Sequence, residues 1–203
     1  MSQITASRGR PRVVLITGEP GTGKTTLGVT LARELRVPFV ARDDVRAGMF
    51  FTAGAWTERP GTVPPSDDAV DALLRIVETM ADLGVSCVVE YVVRRSRPRD
   101  LDRIVAVAEC VVVRTWCRDA LTRFTRRSNA DRLLNRQPVL DSLGYSTIDE
   151  HTRDAARRMS AISSEMQEDF EVPVLRVNTD DGYEPEVEAI VEFATKQHSR
   201  PPA

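Results

Sequence analysis

A chain of 203 residues, 41% hydrophobic and 29% charged, is long enough to bury one substantial core, with room for a small lid. Its formal net charge of −2 supplies no basic track for long nucleic acid and no pull toward an anionic membrane. No run approaches the roughly 18 consecutive apolar residues of a membrane span, and the N-terminal MSQITASRGRPR lacks the apolar stretch of a secretory signal.

Residues 1–11 read as a loose tail, and the first element is RVVLITG at 12–18. It is β-branched and nearly continuous in apolar character, as suits a strand buried on both faces. It runs into GEPGTGKT, a G-x-x-x-x-G-K-T pattern carried by Gly18, Gly23, Lys24 and Thr25, and then into the helical TTLGVTLARELR. Strand, loop and helix in that order are the context that gives the pattern meaning. Gly18, Glu19, Pro20, Gly21, Thr22 and Gly23 form a loop whose inward N–H groups suit a β-phosphate. The helix start at Lys24, Thr25 and Thr26 adds its positive end. Lys24 places a charge on the β/γ oxygens and Thr25 offers a hydroxyl to Mg²⁺. The sequence therefore predicts ATP and Mg²⁺ as ligands; a purely structural glycine turn is the competing reading.

A second strand, VPFVA at 37–41, ends at RDDVR, with Asp43, Asp44 and Arg46. In α/β sheets ligands sit beyond the carboxyl ends of strands, which brings these acids toward the crevice of the phosphate loop. Two readings stand side by side. In one, Asp43 or Asp44 takes the proton of a hydroxyl that attacks the γ-phosphate, with Arg46 on an anionic part of the acceptor. Alternatively Asp43 caps a helix beginning near Asp44 and pairs locally with Arg46. The Gly/Pro-rich segment TAGAWTERPGTVPPS at 52–66 predicts an exposed loop in which Trp56 either stacks on a planar acceptor or pins the loop to the core.

SDDAVDALLRIVETMADLG predicts a helix capped by Ser66 and stopped by Gly84. A third strand-like run, VSCVVEYVV at 85–93, contains Glu90. That acid either serves Mg²⁺ through water or the acceptor hydroxyls, or is a solvated carboxylate at the sheet's edge. Clustered arginines (Arg94, Arg95, Arg97, Arg99) in a near-neutral protein suggest local anion sites. A fourth strand, CVVVRTW at 110–116, leads to CRDALTRFTRRS. There Arg123 and Arg127 lie four apart on one helical face. They suit a lid that lays guanidinium groups over a transferring phosphate, or else a solvated basic face with an Asp119–Arg123 pair. Arg118 and Arg126 receive no role, and residues 128–146 give no clear pattern.

TIDEHTRDAARRMSAISSEMQEDF opens with a Thr147/Glu150 capping box and predicts a long helix reaching Phe170. VPVLRVN at 172–178 is the fifth strand, and EPEVEAIVEFA a last helix with Pro185 near its start. Residues 198–203 read as a second tail. Strands alternating with helices predict an α/β fold: a three-layer sandwich around a five-stranded parallel sheet over 12–197, with an arginine-bearing helical lid at about 118–146. Cys87, Cys110 and Cys117 form no CxxC pair, so buried reduced thiols and a cytoplasmic compartment are expected. His151 reads as a surface helix residue, and with His198 in the tail it makes no metal constellation.

GEPGTGKTT followed by RDDVR resembles the small P-loop kinases that include the 5′-hydroxyl kinase domain of phage polynucleotide kinase, zeta toxins and chloramphenicol phosphotransferase. DDVR is also similar to the matching segment of adenylylsulfate kinases. The resemblance implies that Asp43 is a general base, that Arg46 contacts the acceptor, and that Arg123 and Arg127 belong to an arginine lid. Many relatives carry Asp where this chain has Glu90. The expected activity is transfer of the γ-phosphate of ATP to a hydroxyl of a small-molecule acceptor. The alternatives are a 5′-hydroxyl polynucleotide or nucleotide-sugar kinase and, from another class, an NTPase switch that moves a partner.

Overall fold

Branched apolar side chains at successive positions leave no face for water, so Arg12–Gly18 is driven to the middle of a sheet. The computed structural model describes residues 9–52, 66–130, 140–141 and 144–196. In it this run is β1 (Arg12–Gly18), paired in parallel with β3 (Cys87–Glu90) on one side and β4 (Glu109–Trp116) on the other. β2 (Phe39–Ala41) adds to β3 and β5 (Val174–Asn178) adds to β4, both in parallel, giving the order β2-β3-β1-β4-β5. The helices are α1 (Lys24–Leu35), α2 (Arg42–Phe50), α3 (Ser66–Asp82), α4 (Arg99–Val107), α5 (Ala120–Ala130), α6 (Ile148–Glu165) and α7 (Val187–Thr195).

Alternation along β1 assigns one side chain to each layer. Val13 and Leu15 join Leu73, Leu74 and Val77 of α3 and Leu101 and Ile104 of α4. Val14 and Ile16 join Leu27 and Leu31 of α1 and Ile190 and Ala194 of α7 on the other face. Each fully buried Leu or Ile here contributes about 1.5–3 kcal/mol of burial. The expected α/β sandwich on a five-stranded parallel sheet is what forms. Among the described residues no helix is long and apolar enough to cross a membrane.

Several boundaries differ from the sequence expectation, each for a local reason. β3 stops at Glu90 because the chain then turns onto the end of β1: the Tyr91 N–H donates to the Ile16 carbonyl at 3.3 Å and the Val93 N–H to the Thr17 hydroxyl at 3.1 Å. α6 ends at Glu165 rather than reaching Phe170, since Met166 takes an extended backbone and bridges to Arg94. Phe170 packs against the core from outside the helix. The capping box forms with a shift: Thr147 accepts the Glu150 N–H at 3.2 Å, while the Glu150 carboxylate accepts from the Ser146 N–H at 3.0 Å.

The arginine cluster after β3 is a staple between helices. Arg94 bonds Asp67, Arg97 bonds Asp71 and Asp100, and Arg103 grips Glu78 through Nε and Nη2 at 2.7 and 2.8 Å. Arg94 and Arg97 are thus occupied by acids of α3 and α4, which corrects their reading as anion sites. The hydrogen bond from Arg94 holds the Asp67 carboxyl below its ordinary pKa, and that from Arg103 does the same for Glu78.

Candidate active site

At two of its glycines the loop between β1 and α1 is pressed against β4 and the start of α5 with no room for a side chain. Gly18 has φ 146°, and a Cβ there would stand 2.4 Å from the Thr115 carbonyl oxygen. Gly21 has φ 86°, and its Cβ would stand 2.1 Å from the Ala120 carbonyl oxygen. Both the left-handed backbone and the close approach demand glycine. Thr22 is 1% exposed; its hydroxyl bonds the Glu19 carbonyl and shares a hydrogen bond with the Thr115 hydroxyl, each at 2.7 Å. Beyond β5, the Thr179 hydroxyl donates to the Thr22 carbonyl at 3.0 Å. Three buried threonines therefore brace the loop.

Lys24 is 8% exposed and folds back under the loop, Nζ donating to the Glu19 carbonyl at 2.7 Å. Gly21, Gly23, Thr25 and Thr26 line a cleft of about 400 Å³ together with Arg123 of α5. A glycine-rich loop, a helix start and one guanidinium at this cleft fit a polyphosphate, with the Lys24 ammonium next to them on the Glu19 carbonyl. The Thr25 hydroxyl at the cleft is a hard oxygen of the kind Mg²⁺ takes together with phosphate oxygens. Glu19 and Pro20 sit at the turn of the loop.

Arg123 is anchored. Its guanidinium donates to the Thr179 carbonyl at 2.6 Å and to the Asp180 carbonyl. Arg118 donates to the Asp180 carboxylate through its backbone N–H at 2.9 Å and its Nε at 3.1 Å. The backbone N–H of Arg118 leads the effects that hold the Asp180 carboxyl below its ordinary pKa. The start of α5 is thus laced to the loop after β5, and carbonyls rather than Asp119 take the Arg123 side chain. Arg127 follows one turn later on α5, and its side chain lies outside the described residues, as does Trp56.

α2 begins at Arg42 with Ala41 as its N-cap (φ −105°, ψ 140°). Asp43 therefore lies within the first turn, and the capping position in the alternative reading belongs to Ala41. Asp43 and Asp44 are both exposed first-turn acids, complementing the helix's positive end. Asp43 pairs with Arg42 at 3.0 Å. Arg46 is half-buried; desolvation pulls its pKa down, Arg42 adds to that effect, and Asp43 opposes it.

Glu90 is 8% exposed, flanked in register by Ala41 of β2 and Ile16 of β1. A solvated carboxylate at the sheet's edge is thereby excluded. The acid ends an interior strand beside the one that feeds the loop. His151 lies half-buried on α6, edge-on to Tyr145 with ring centres 5.0 Å apart.

Thr115, Thr179 and Asp180 were not among the sequence candidates. The available signal was the text NTDDG straight after a strand-like run, at the end of the sheet where α/β ligands sit.

A family model described as AAA domain matches residues 14–142. Among curated proteins none matches the sequence. Solved structures share the fold along nearly the whole chain. A Chloroflexus aurantiacus protein carrying a kinase assignment is 20% identical, with 94% of this chain and 100% of that one covered at a TM-score of 0.67. Kti12 of Chaetomium thermophilum, solved in complex with ADP-AlF3, is 14% identical, with 91% and 100% covered at 0.58. A sugar kinase from Janibacter is 15% identical, with 91% and 92% covered at 0.51. At these identities the likeness establishes the α/β fold.

Proposed function

The chain belongs to the AAA domain family, whose P-loop binds nucleotide, and from that premise we propose that it is an ATP-dependent kinase transferring the γ-phosphate to a hydroxyl of a small-molecule acceptor. The observation that carries this reading is that Arg123 and the loop line one cleft, with the acids of α2 at the end of a strand in the same sheet. In this reading Lys24 and the loop N–H groups bind the β- and γ-phosphates, and Glu90 orders water or acceptor hydroxyls beside them. When bound at Thr25, Mg²⁺ neutralises charge on the phosphate oxygens. Asp43 accepts the acceptor's hydroxyl proton. The acceptor oxygen then bonds the γ-phosphorus as the bond to the β,γ-bridging oxygen breaks and ADP leaves. Arg123, with Arg127 one turn on, stabilises the charge spread over the transferring group. Arg46 and Trp56 are assigned to the acceptor. The similarity to a sugar kinase and to a protein with a kinase assignment supports phosphotransfer as the reaction class.

The test is acceptor dependence. Sugars, nucleosides, antibiotics and 5′-hydroxyl oligonucleotides are each offered with γ-labelled ATP, and label transfer is read beside ADP release. Transfer to one small-molecule class, with ADP release rising alongside, is the expected result. Transfer to oligonucleotides alone would move the protein to the polynucleotide reading. Steady ADP release that no acceptor changes would make it an NTPase switch.

A further inference from the structure

Away from the cleft, the face of the sheet shared by α3 and α4 ends in a charged cavity. That layer draws its side chains from β1, β3 and β4, while Phe170 and Val172 are the last apolar cover before β5. Beyond them lies a cavity of about 200 Å³ lined by Arg114, Trp116, Glu168 and Arg176. Arg114 of β4 and Arg176 of β5 are register partners, so their side chains stand side by side on one face. Like charges directly opposite each other destabilise a sheet. Among the described residues their only acidic neighbour in the cavity, Glu168, lies 3.6 Å from Arg114, too far for a hydrogen bond. Among the described residues Arg176 has no ion pair. The cavity thus holds two guanidinium groups against one carboxylate. One wall is Trp116, two residues along the same face and still 46% exposed for so large an apolar side chain.

We propose that this cavity is a second binding site, for a single planar ring carrying a carboxylate or phosphate. The acid group bridges the two guanidinium forks and the ring lies on the Trp116 indole. The paired forks supply the bidentate donors that planar anions take, and the indole supplies a flat apolar face. The volume is below the roughly 300 Å³ at which pockets for larger ligands begin, which limits the occupant to one ring. The site is independent of the proposed phosphotransfer.

The chain has two tryptophans, so the full-length Trp56→Phe variant makes Trp116 the sole indole reporter. Its fluorescence is titrated with benzoate, phenyl phosphate and inorganic phosphate at ionic strength matched with sodium chloride. A saturable change with both ring-bearing probes, at least tenfold tighter than with inorganic phosphate, is expected. Arg176→Gln should weaken it at least tenfold at unchanged melting temperature. Arg114→Gln should do the same; should that variant fail to fold, the more exposed Arg176 keeps the test intact. Equal affinity for inorganic phosphate overturns the ring site. So does a response that Arg176→Gln leaves unchanged, or no saturable response at all. Saturable binding in this variant, with no phosphoryl transfer by the unsubstituted protein, would sink only the kinase reading.

Discussion

The phosphate loop and the start of α2 both follow the carboxyl ends of parallel strands, yet their polar groups are held differently. In the loop, Thr22, Thr115 and Thr179 are 1%, 1% and 5% exposed and bonded to one another or to loop carbonyls. At α2, Asp43 stands in water beside its neighbour Arg42, while Arg42 and Arg46 are half covered. A loop that must aim its N–H groups at phosphate pays the ordering cost during folding, so that binding need not. On the proposed reading, the nucleotide half of the site is therefore shaped by buried threonines of the fold, while the acid of the acceptor half is open to solvent.

The comparison breaks first at Lys24. Lys24→Ala should abolish label transfer, because on the proposed reading its ammonium is the charge that binds the β- and γ-phosphates. Its side chain is folded beneath the loop, so the melting temperature should also move, though without loss of the folded state. Transfer near the wild-type rate would remove the loop from the chemistry.

Next in size is Asp43→Asn, expected to cut transfer by roughly a hundred- to ten-thousand-fold, the range for a lost general base. Asp44→Asn should cost far less. Since Ala41 is the N-cap, neither substitution removes a cap bond, so both variants should melt close to the parent. Nucleotide affinity should survive in each. Equal, small effects on transfer would reduce both acids to first-turn charges.

Arg123→Ala sharpens the boundary between the two halves. Its guanidinium lines the cleft and also bonds the Thr179 and Asp180 carbonyls. A fall of about a hundred-fold in kcat with little change in acceptor KM is expected for a donor acting on transition-state charge. A modest drop in melting temperature should accompany it, from the carbonyls left behind. A melting shift with kcat intact would make Arg123 a strut between α5 and the β5 loop.

Much of this frame was legible in the chain. β1 begins and ends where RVVLITG does, because its periodicity and the following glycine are local signals. The phosphate loop was legible for the same reason: its geometry is written in adjacent residues. The threonine web was not. Thr17 and Thr115 sit inside β-branched runs and read as strand formers; only the register of β1 against β4 reveals that Thr115 meets the loop. The arginines after β3 misled for a related reason. The partner of Arg94 is 27 residues upstream, on a helix whose packing no local pattern specifies. β3 and α6 ran short because their ends answer to contacts with β1 and Arg94, again distant in sequence.

The smallest expected effect lies in that staple, which serves as a control because it carries no chemistry in either half. Glu78 is held by two hydrogen bonds from Arg103, which lower its pKa in the folded state. Asp67 is lowered likewise by Arg94. The unfolded chain, with carboxyls near ordinary values of about 4, binds these protons more readily. Their stabilisation is therefore complete above that ordinary range and disappears as pH falls through the lower folded-state pKa. The Glu78 side chain is 31% exposed, so solvent screens the pair and its contribution is small. Glu78→Gln should melt slightly below the parent at pH 7, and the gap should close on acidification from about pH 5 to pH 2. Raised salt should narrow the gap at pH 7 as well. Label transfer should be unchanged in this variant, separating loss of the staple from loss of the site. Melting curves that run parallel at every pH would show that the Arg103–Glu78 pair adds nothing ionic to the fold.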